Sequence, residues 1–402
     1  MEIRPHTMRE LFFRNVAQTS PSPLALEIQK ARGIFLYDTS GRRYFDLVSG
    51  VSVSNVGHSN PEVVDAVKLQ AENYMHLMVY GEIIEAPQVL HAQLLSTLLP
   101  ENLDTIYYVN SGSEANEAAL KLAKRATGRR EIISCYNSYH GSTHGVLSIM
   151  GSEVYKSSYR PLLPETRLIN FNKAQDLSLI TEKTACVIIE PVQGEAGVIL
   201  PEEGYLDALR KRCDDTGTIL IFDEVQTGFG RTGKLFAFQK YDVIPDILTM
   251  AKALGGGMPL GALAASAELM NKFQFNPPLG HITTFGGHPV SCAAALASLK
   301  ILTREDWISK AQEKGEMFVQ LLINNENIKE IRNAGLLLAV EMKSTAMADR
   351  IIKVLLEEGV MSDWFLFNAN SFRIAPPLSI TFEEIDLAAE RILIALNKLN
   401  HL

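Results

Sequence analysis

Residues 105–128 read TIYYVNSGSEANEAALKLAKRATG. The apolar run Ile106–Asn110 closes on a polar residue, and Ser111, Gly112 and Ser113 form a junction after it. Beyond the junction, Ala115, Ala118, Ala119, Leu122 and Ala123 recur at i, i+3, i+4, i+7 and i+8, which is one face of a helix. Gly128 supplies the stop. A short apolar strand feeding an amphipathic helix through a small polar turn is the repeating unit of an α/β fold.

The same alternation runs from Asn60 to Leu302. Further strands are expected at Glu131–Cys135, Ala185–Glu190, Thr218–Phe222 and Ile247–Met250, several of them apolar almost throughout. Strands of that kind are buried on both faces, as in a mainly parallel sheet covered by helices. Near residue 290 the texture changes: a helical stretch Ser291–Leu302 leads into strands such as Leu336–Glu341 separated by charged helices. The expected division is a large domain over 46–290 and a smaller α+β domain over 291–402, joined by an N-terminal segment over 1–45. Internal repeats and low-complexity stretches are absent.

The length of 402 residues exceeds what one hydrophobic core organises, which agrees with that division. With 38 basic against 46 acidic residues the net charge is −8, so the chain carries no cationic footprint for nucleic acid or anionic lipid. Cys135, Cys186, Cys213 and Cys292 are widely spaced, with neither a CxxC nor a His cluster at metal-ligand spacing. They read as reduced packing residues, no metal is expected, and the compartment expected is the cytoplasm. The N-terminus lacks an apolar signal core, and no apolar stretch approaches the roughly 20 residues that span a bilayer.

Strand ends are where an open α/β sheet places its ligand site. At Ser111–Ser113 the free N–H groups of a helix start suit a phosphate, although either serine alone is equally a helix cap. The strand ILIF at 219–222 exits on Asp223 and Glu224, and an ionised Asp223 there needs a cation; a protonated pyridine nitrogen is one such partner, and an N-cap or a metal role is the alternative. No GxxxxGK[ST] accompanies it, which removes the nucleotide-metal version. In the stretch DILTMAKALGGG at 246–257, Lys252 leaves a buried strand just before a glycine cluster. Desolvation there lowers an amine's pKa and frees it to attack a carbonyl, whereas a lone lysine in such a place is more simply a snorkelling one.

Taken together, VNSGSEANEAALKLAKRATG, YHGST, EPVQGEAGV, FDEVQTGFGRTG, AKALGGGMPLGA and TTFGGHPV resemble the class III aminotransferases in order along nearly the whole chain, with the texture of the acetylornithine and ornithine enzymes. The resemblance implies the fold-type I architecture of pyridoxal 5′-phosphate (PLP) enzymes, a homodimer, and transfer of an amino group from an ω-amine donor to a keto acid. It implies that Lys252 carries PLP as a Schiff base and that Asp223 pairs with the pyridinium nitrogen. It places Ser111, Gly112 and Ser113 at the phosphate, joined by Thr284 of the neighbouring subunit, with Tyr139 and Val225 on the two ring faces and Gln226 at the 3′-oxygen. Glu195 and Arg373 resemble the family's switch pair, in which the arginine grips the acceptor's carboxylate and the glutamate otherwise masks it; 2-oxoglutarate is then the expected acceptor. A surface ion pair is the plainer alternative.

One position departs from that pattern. Ornithine-type relatives carry arginine directly after the [FY]-[HW]-G tripeptide, where it binds the donor's α-carboxylate, and here the residue is Ser142. The donors expected are therefore diamines, ω-amino acids, or an ornithine- or lysine-like donor held by other contacts. An aminomutase or decarboxylase on the same fold stays open at this point, as does a non-enzymatic PLP-binding regulator, although no DNA-binding appendage is visible. A dehydrogenase is disfavoured because the glycines at 255–257 do not form GxGxxG after a strand.

Overall fold

The computed structural model describes residues 7–399. Residues 1–6 and 400–402, the outer ends of the two flanking segments, lie outside the described residues. The strands are β1 (Ile28–Arg32), β2 (Phe35–Asp38) and β3 (Arg43–Asp46), then β4 (Thr105–Val109), β5 (Glu131–Cys135), β6 (Thr166–Ile169) and β7 (Thr184–Ile189). They continue with β8 (Ile219–Asp223), β9 (Ile247–Met250), β10 (Gly261–Ala265), β11 (Ile328–Ala334), β12 (Leu337–Met342), β13 (Val360–Met361) and β14 (Ser371–Ile374).

A seven-stranded sheet in the order β4-β10-β9-β8-β7-β5-β6 forms the centre. Its pairings are parallel except those of β10, which runs antiparallel to both β4 and β9. Strands β7, β9 and β10 are buried along their whole length, as double-faced burial requires. The helix Gly112–Thr127 lies on one face, and its stripe of Ala115, Ala118, Ala119, Leu122 and Ala123 is fully buried. Small side chains let it sit close against Ile132, Cys186, Ile188, Ile221 and Leu263. Gly128 ends it in the left-handed conformation, φ 68°.

Two smaller sheets flank this centre. The order β1-β2-β3-β13 joins an N-terminal hairpin to a C-terminal strand, and β11-β12-β14 forms an antiparallel three-stranded sheet. Helices Thr345–Glu357 and Phe382–Lys398 pack beside these strands, the latter opened by a Thr381/Glu384 capping box. All four cysteines are free and buried. Among the described residues no helix is long and apolar enough to cross a membrane.

At three strand ends that differ from the sequence expectations, a hydrogen bond competes with the ladder. The N–H of Asn110 turns out of β4 to the Glu114 carboxylate (2.8 Å), and that of Thr218 bonds back to Cys213 O (2.9 Å) before β8 begins. The N–H of Leu336 goes to Arg231 O (3.0 Å) ahead of β12. The expected helix Ser291–Leu302 runs over Pro289–Arg304, opened by a proline whose missing N–H costs nothing at a first turn.

Candidate active site

The exits of β8 and β9 and the start of the helix Gly112–Thr127 meet at one cavity of about 520 Å³. Ser111, Gly112, Ser113, Tyr139, Asp223, Val225, Gln226 and Lys252 all line it, so the structure brings together eight of the residues singled out from sequence.

Asp223 ends β8 almost wholly buried, 4% exposed. Its Oδ2 accepts from Asn116 Nδ2 at 2.7 Å and from His140 Nδ1 at 2.8 Å, and its Oδ1 accepts the N–H of Val225 at 3.0 Å. A carboxylate only accepts, so the His140 proton sits on Nδ1. These three donors fix the orientation of the carboxylate at the cavity wall.

Lys252 follows β9 in the left-handed region, φ 50°, a strained position for a side chain bearing a Cβ. Its open surface faces the cavity. Burial depresses its pKa, with Arg373 acting in the same sense against the opposing pull of Glu195, Asp223 and Glu190. A second strained stretch borders the site: Ser49, Gly50, Val51 and Ser52 all have φ between 53° and 63°. Each non-glycine there costs about 1–2 kcal/mol. Asp46 Oδ1 holds the turn by accepting the N–H groups of Val48 and Ser49 at 2.9 and 2.8 Å, and Ser49 Oγ donates to Ala375 O at 2.7 Å. The turn delivers Val53 to the cavity wall.

The cavity fits PLP by its own contents. The Ser111 hydroxyl caps the helix through Glu114 N–H at 3.2 Å, which leaves backbone N–H groups at the helix start for a phosphate. A Cβ on Gly112 would lie 2.8 Å from Val225 Cγ1, so only glycine admits the junction this close to Val225. Gln226 Nε2 is a buried donor with no acceptor, available to a ligand oxygen. Tyr139 is half-buried on the cavity wall, its hydroxyl 3.1 Å from Ser142 Oγ.

Glu195 and Arg373 stand behind this wall as a buried ion pair. Arg373 is 1% and Glu195 6% exposed, and Arg373 Nη2 donates to Glu195 Oε1 at 2.8 Å, so the surface-pair alternative fails. Burial pushes the Glu195 carboxyl up, but Arg373 and then Lys252 outweigh it and hold the pKa below the ordinary carboxylate value. Thr284 lies exposed on the loop before Pro289, outside the lining of this chain's cavity.

Asn116, His140 and Glu190 line the cavity and Asp363 stands behind it against Arg373; none of the four was among the sequence-based candidates. Asn116 had a visible signal: it is a carboxamide on the apolar face, three and four residues before Ala119 and Leu120. Glu190 accepts the N–H groups of Tyr139 and Gly194, each at 3.1 Å, tying the YHG loop to the QGE loop. Burial pushes its pKa up to about 7, with Asp223 adding and His140 opposing. Asp363 sits 3.0 Å from Arg373 Nε, and no local pattern marked it.

A family profile described as aminotransferase class-III matches residues 16–396. The chain is 42% identical over 378 residues to the acetylornithine aminotransferase of Methanocaldococcus jannaschii, covering 90% of this chain and 91% of that one. It is 36% identical over 368 residues to the LysW-aminoadipate semialdehyde/glutamate semialdehyde transaminase of Sulfolobus acidocaldarius, covering 90% and 93%. The ornithine aminotransferase of Toxoplasma gondii superposes with a TM-score of 0.90 at 30% identity, over 98% of this chain and 96% of that one. Another structure of that enzyme shows PLP at partial occupancy in its active site.

Proposed function

The chain is a class III aminotransferase using PLP, and from that premise we propose that it moves the amino group of an ω-amine donor to 2-oxoglutarate. The donor class is an acetylornithine- or ornithine-like amino acid, a diamine or an ω-amino acid. The observation that carries this reading is the pair Glu195–Arg373, buried and within electrostatic reach of Lys252, with the uncharged Ser142 beside Tyr139.

When bound, PLP supplies an electron-withdrawing ring that makes the proton on the donor's nitrogen-bearing carbon removable. Lys252 would anchor the cofactor, and its amine, its pKa depressed by burial, would hold and move that proton. Asp223, oriented by Asn116, His140 and Val225 N–H, holds a proton on the ring nitrogen. The helix start at Ser111–Ser113 receives the phosphate, with Thr284 of a second copy joining it in a homodimer. Tyr139 and Val225 would pack against the cofactor ring, and Gln226 Nε2 would donate to one of its oxygens. Arg373 receives the keto acid's carboxylate after Glu195 moves aside. The chain divides into a large cofactor-binding domain over 46–290 and a smaller one over 291–402 that the N-terminal segment joins.

The test is borohydride reduction of the holoenzyme followed by peptide mapping. The expected result is a stable cofactor adduct on the peptide containing Lys252, absent from Lys252→Ala, whose turnover falls by roughly 10⁴-fold or more. An adduct that survives in Lys252→Ala overturns the assignment. Turnover that needs no keto acid, or that releases CO₂, identifies a mutase or a decarboxylase instead.

A further inference from the structure

One continuous segment, Asp363-Trp364-Phe365-Leu366-Phe367-Asn368, encloses the Glu195–Arg373 pair. Asp363 Oδ1 lies 3.0 Å from Arg373 Nε, off the N–H axis, so it is a charge contact without an aligned hydrogen bond. Trp364 O accepts from Arg373 Nη2 at 3.3 Å, and the Phe365 ring lies under the guanidinium, 4.6 Å from Cζ to centroid. The next residues grip the glutamate: Leu366 N–H donates to Glu195 Oε2 at 3.1 Å, Phe367 N–H to Glu195 O at 3.0 Å, and Asn368 Nδ2 to Ala196 O at 3.4 Å.

The two carboxylates on the one arginine are unequal. Glu195 makes the aligned bond and is held below the ordinary carboxylate range, whereas burial pushes Asp363 up to about 6 despite Arg373, with Glu195 adding. Arg373 Nη1, fully buried, has no acceptor. A guanidinium bordered by a carboxylate, an aromatic ring and a carbonyl, with Nη1 unused and Nε in charge contact only, is preorganised for a further planar acceptor.

We propose that Asp363 is a positioning residue that pins the Nε side of Arg373, so that Nη1, together with the Nη2 vacated by Glu195, presents a fixed edge to the acceptor's carboxylate. Glu195 is then the mobile half of the housing and Asp363 the static half. This rests on the aminotransferase reading above, in which a keto acid replaces Glu195 on Arg373.

The experiment compares holoenzyme variants Asp363→Ala and Asp363→Asn in the two half-reactions and by calorimetric titration with propanoate, a carboxylate that cannot be aminated. In Asp363→Ala the KM for the keto acid and the propanoate Kd rise about tenfold or more, with kcat within about twofold and the half-reaction of a carboxylate-free amine unchanged. Asp363→Asn keeps the shape and removes the charge, so both constants rise as they do in the alanine variant. Unchanged constants in Asp363→Ala overturn the proposal. So does an Asp363→Asn that keeps wild-type constants, or an equal loss in both half-reactions. Failure of the underlying reading shows differently, as a wild-type enzyme that transfers no amino group to any keto acid.

Discussion

The two sides of the proposed site, one at Arg373 behind the cavity wall and one at Ser142 beside Tyr139, are built to opposite standards. On the proposed acceptor side Arg373 is 1% exposed, with Glu195, Asp363, the Phe365 ring and Trp364 O disposed around one guanidinium. On the proposed donor side Ser142 is exposed, and its hydrogen-bond contacts are the Tyr139 hydroxyl at 3.1 Å and, through its N–H, Ser113 Oγ at 3.3 Å. On the proposed reading, a carboxylate has a charged partner ready on the Arg373 side. On the Ser142 side the proposal leaves hydroxyls without charge, and donor choice then rests on contacts of lower energy.

The comparison breaks most severely at Arg373. Arg373→Ala leaves the buried Glu195 and the half-buried Asp363 without their cation, a loss of about 3–5 kcal/mol in stability. The acceptor half-reaction falls by roughly 10²–10³-fold in kcat/KM, while a carboxylate-free amine still reacts in the donor half-reaction. Stopped-flow measurement of each half-reaction, with a melting curve beside it, checks this. An equal fall in both halves would erase the distinction between the walls.

The donor wall is sharpened by restoring the charge it lacks. Ser142→Arg points a guanidinium from an exposed position with few contacts to lose. For ornithine the donor half-reaction improves by about 10- to 100-fold in kcat/KM, the worth of one charge-assisted contact. Putrescine, which has no carboxylate, gains nothing. A wild type that already prefers α-amino donors, or a variant that improves both donors equally, shows that Ser142 does not select the donor.

The legibility of the two walls in sequence follows their construction. Lys252 and Asp223 leave apolar strands at abrupt polar exits, a local signal, and β5 and β9 begin and end where their apolar runs do. By contrast β10, GALAA, is made of residues with low strand propensity and is a strand only because β4 and β9 flank it on both sides. The edge strand β6, TRLI, is too short and too exposed to announce itself. At the site, Asp363 reaches Arg373 only because the chain folds back between β13 and β14, and ten residues of separation carry no period that would pair them. Both glutamates of EPVQGEAG were in view, but the partition of Glu195 to Arg373 and Glu190 to the N–H groups of Tyr139 and Gly194 is a tertiary fact.

Glu190 spans the two walls, since Tyr139 belongs to the loop of Ser142 and Gly194 to the loop of Glu195. Burial raises its pKa from the ordinary 4.5 to about 7, so the fold favours the protonated carboxyl even though two N–H groups favour the anion. The sign follows from linkage: this contribution is complete below the unfolded value near 4.5 and is lost as pH rises through about 7. Glu224 is also pushed up to about 7 and Asp363 to about 6, so wild-type melting alone mixes these groups. The difference between Glu190→Gln and wild type isolates one of them. That difference moves in favour of the variant by on the order of 2–5 °C between about pH 5.5 and 8.5, read by calorimetry. A difference independent of pH would mean that Glu190 is ionised throughout, a plain strut between the walls, and that the burial of the site is shallower than its geometry indicates.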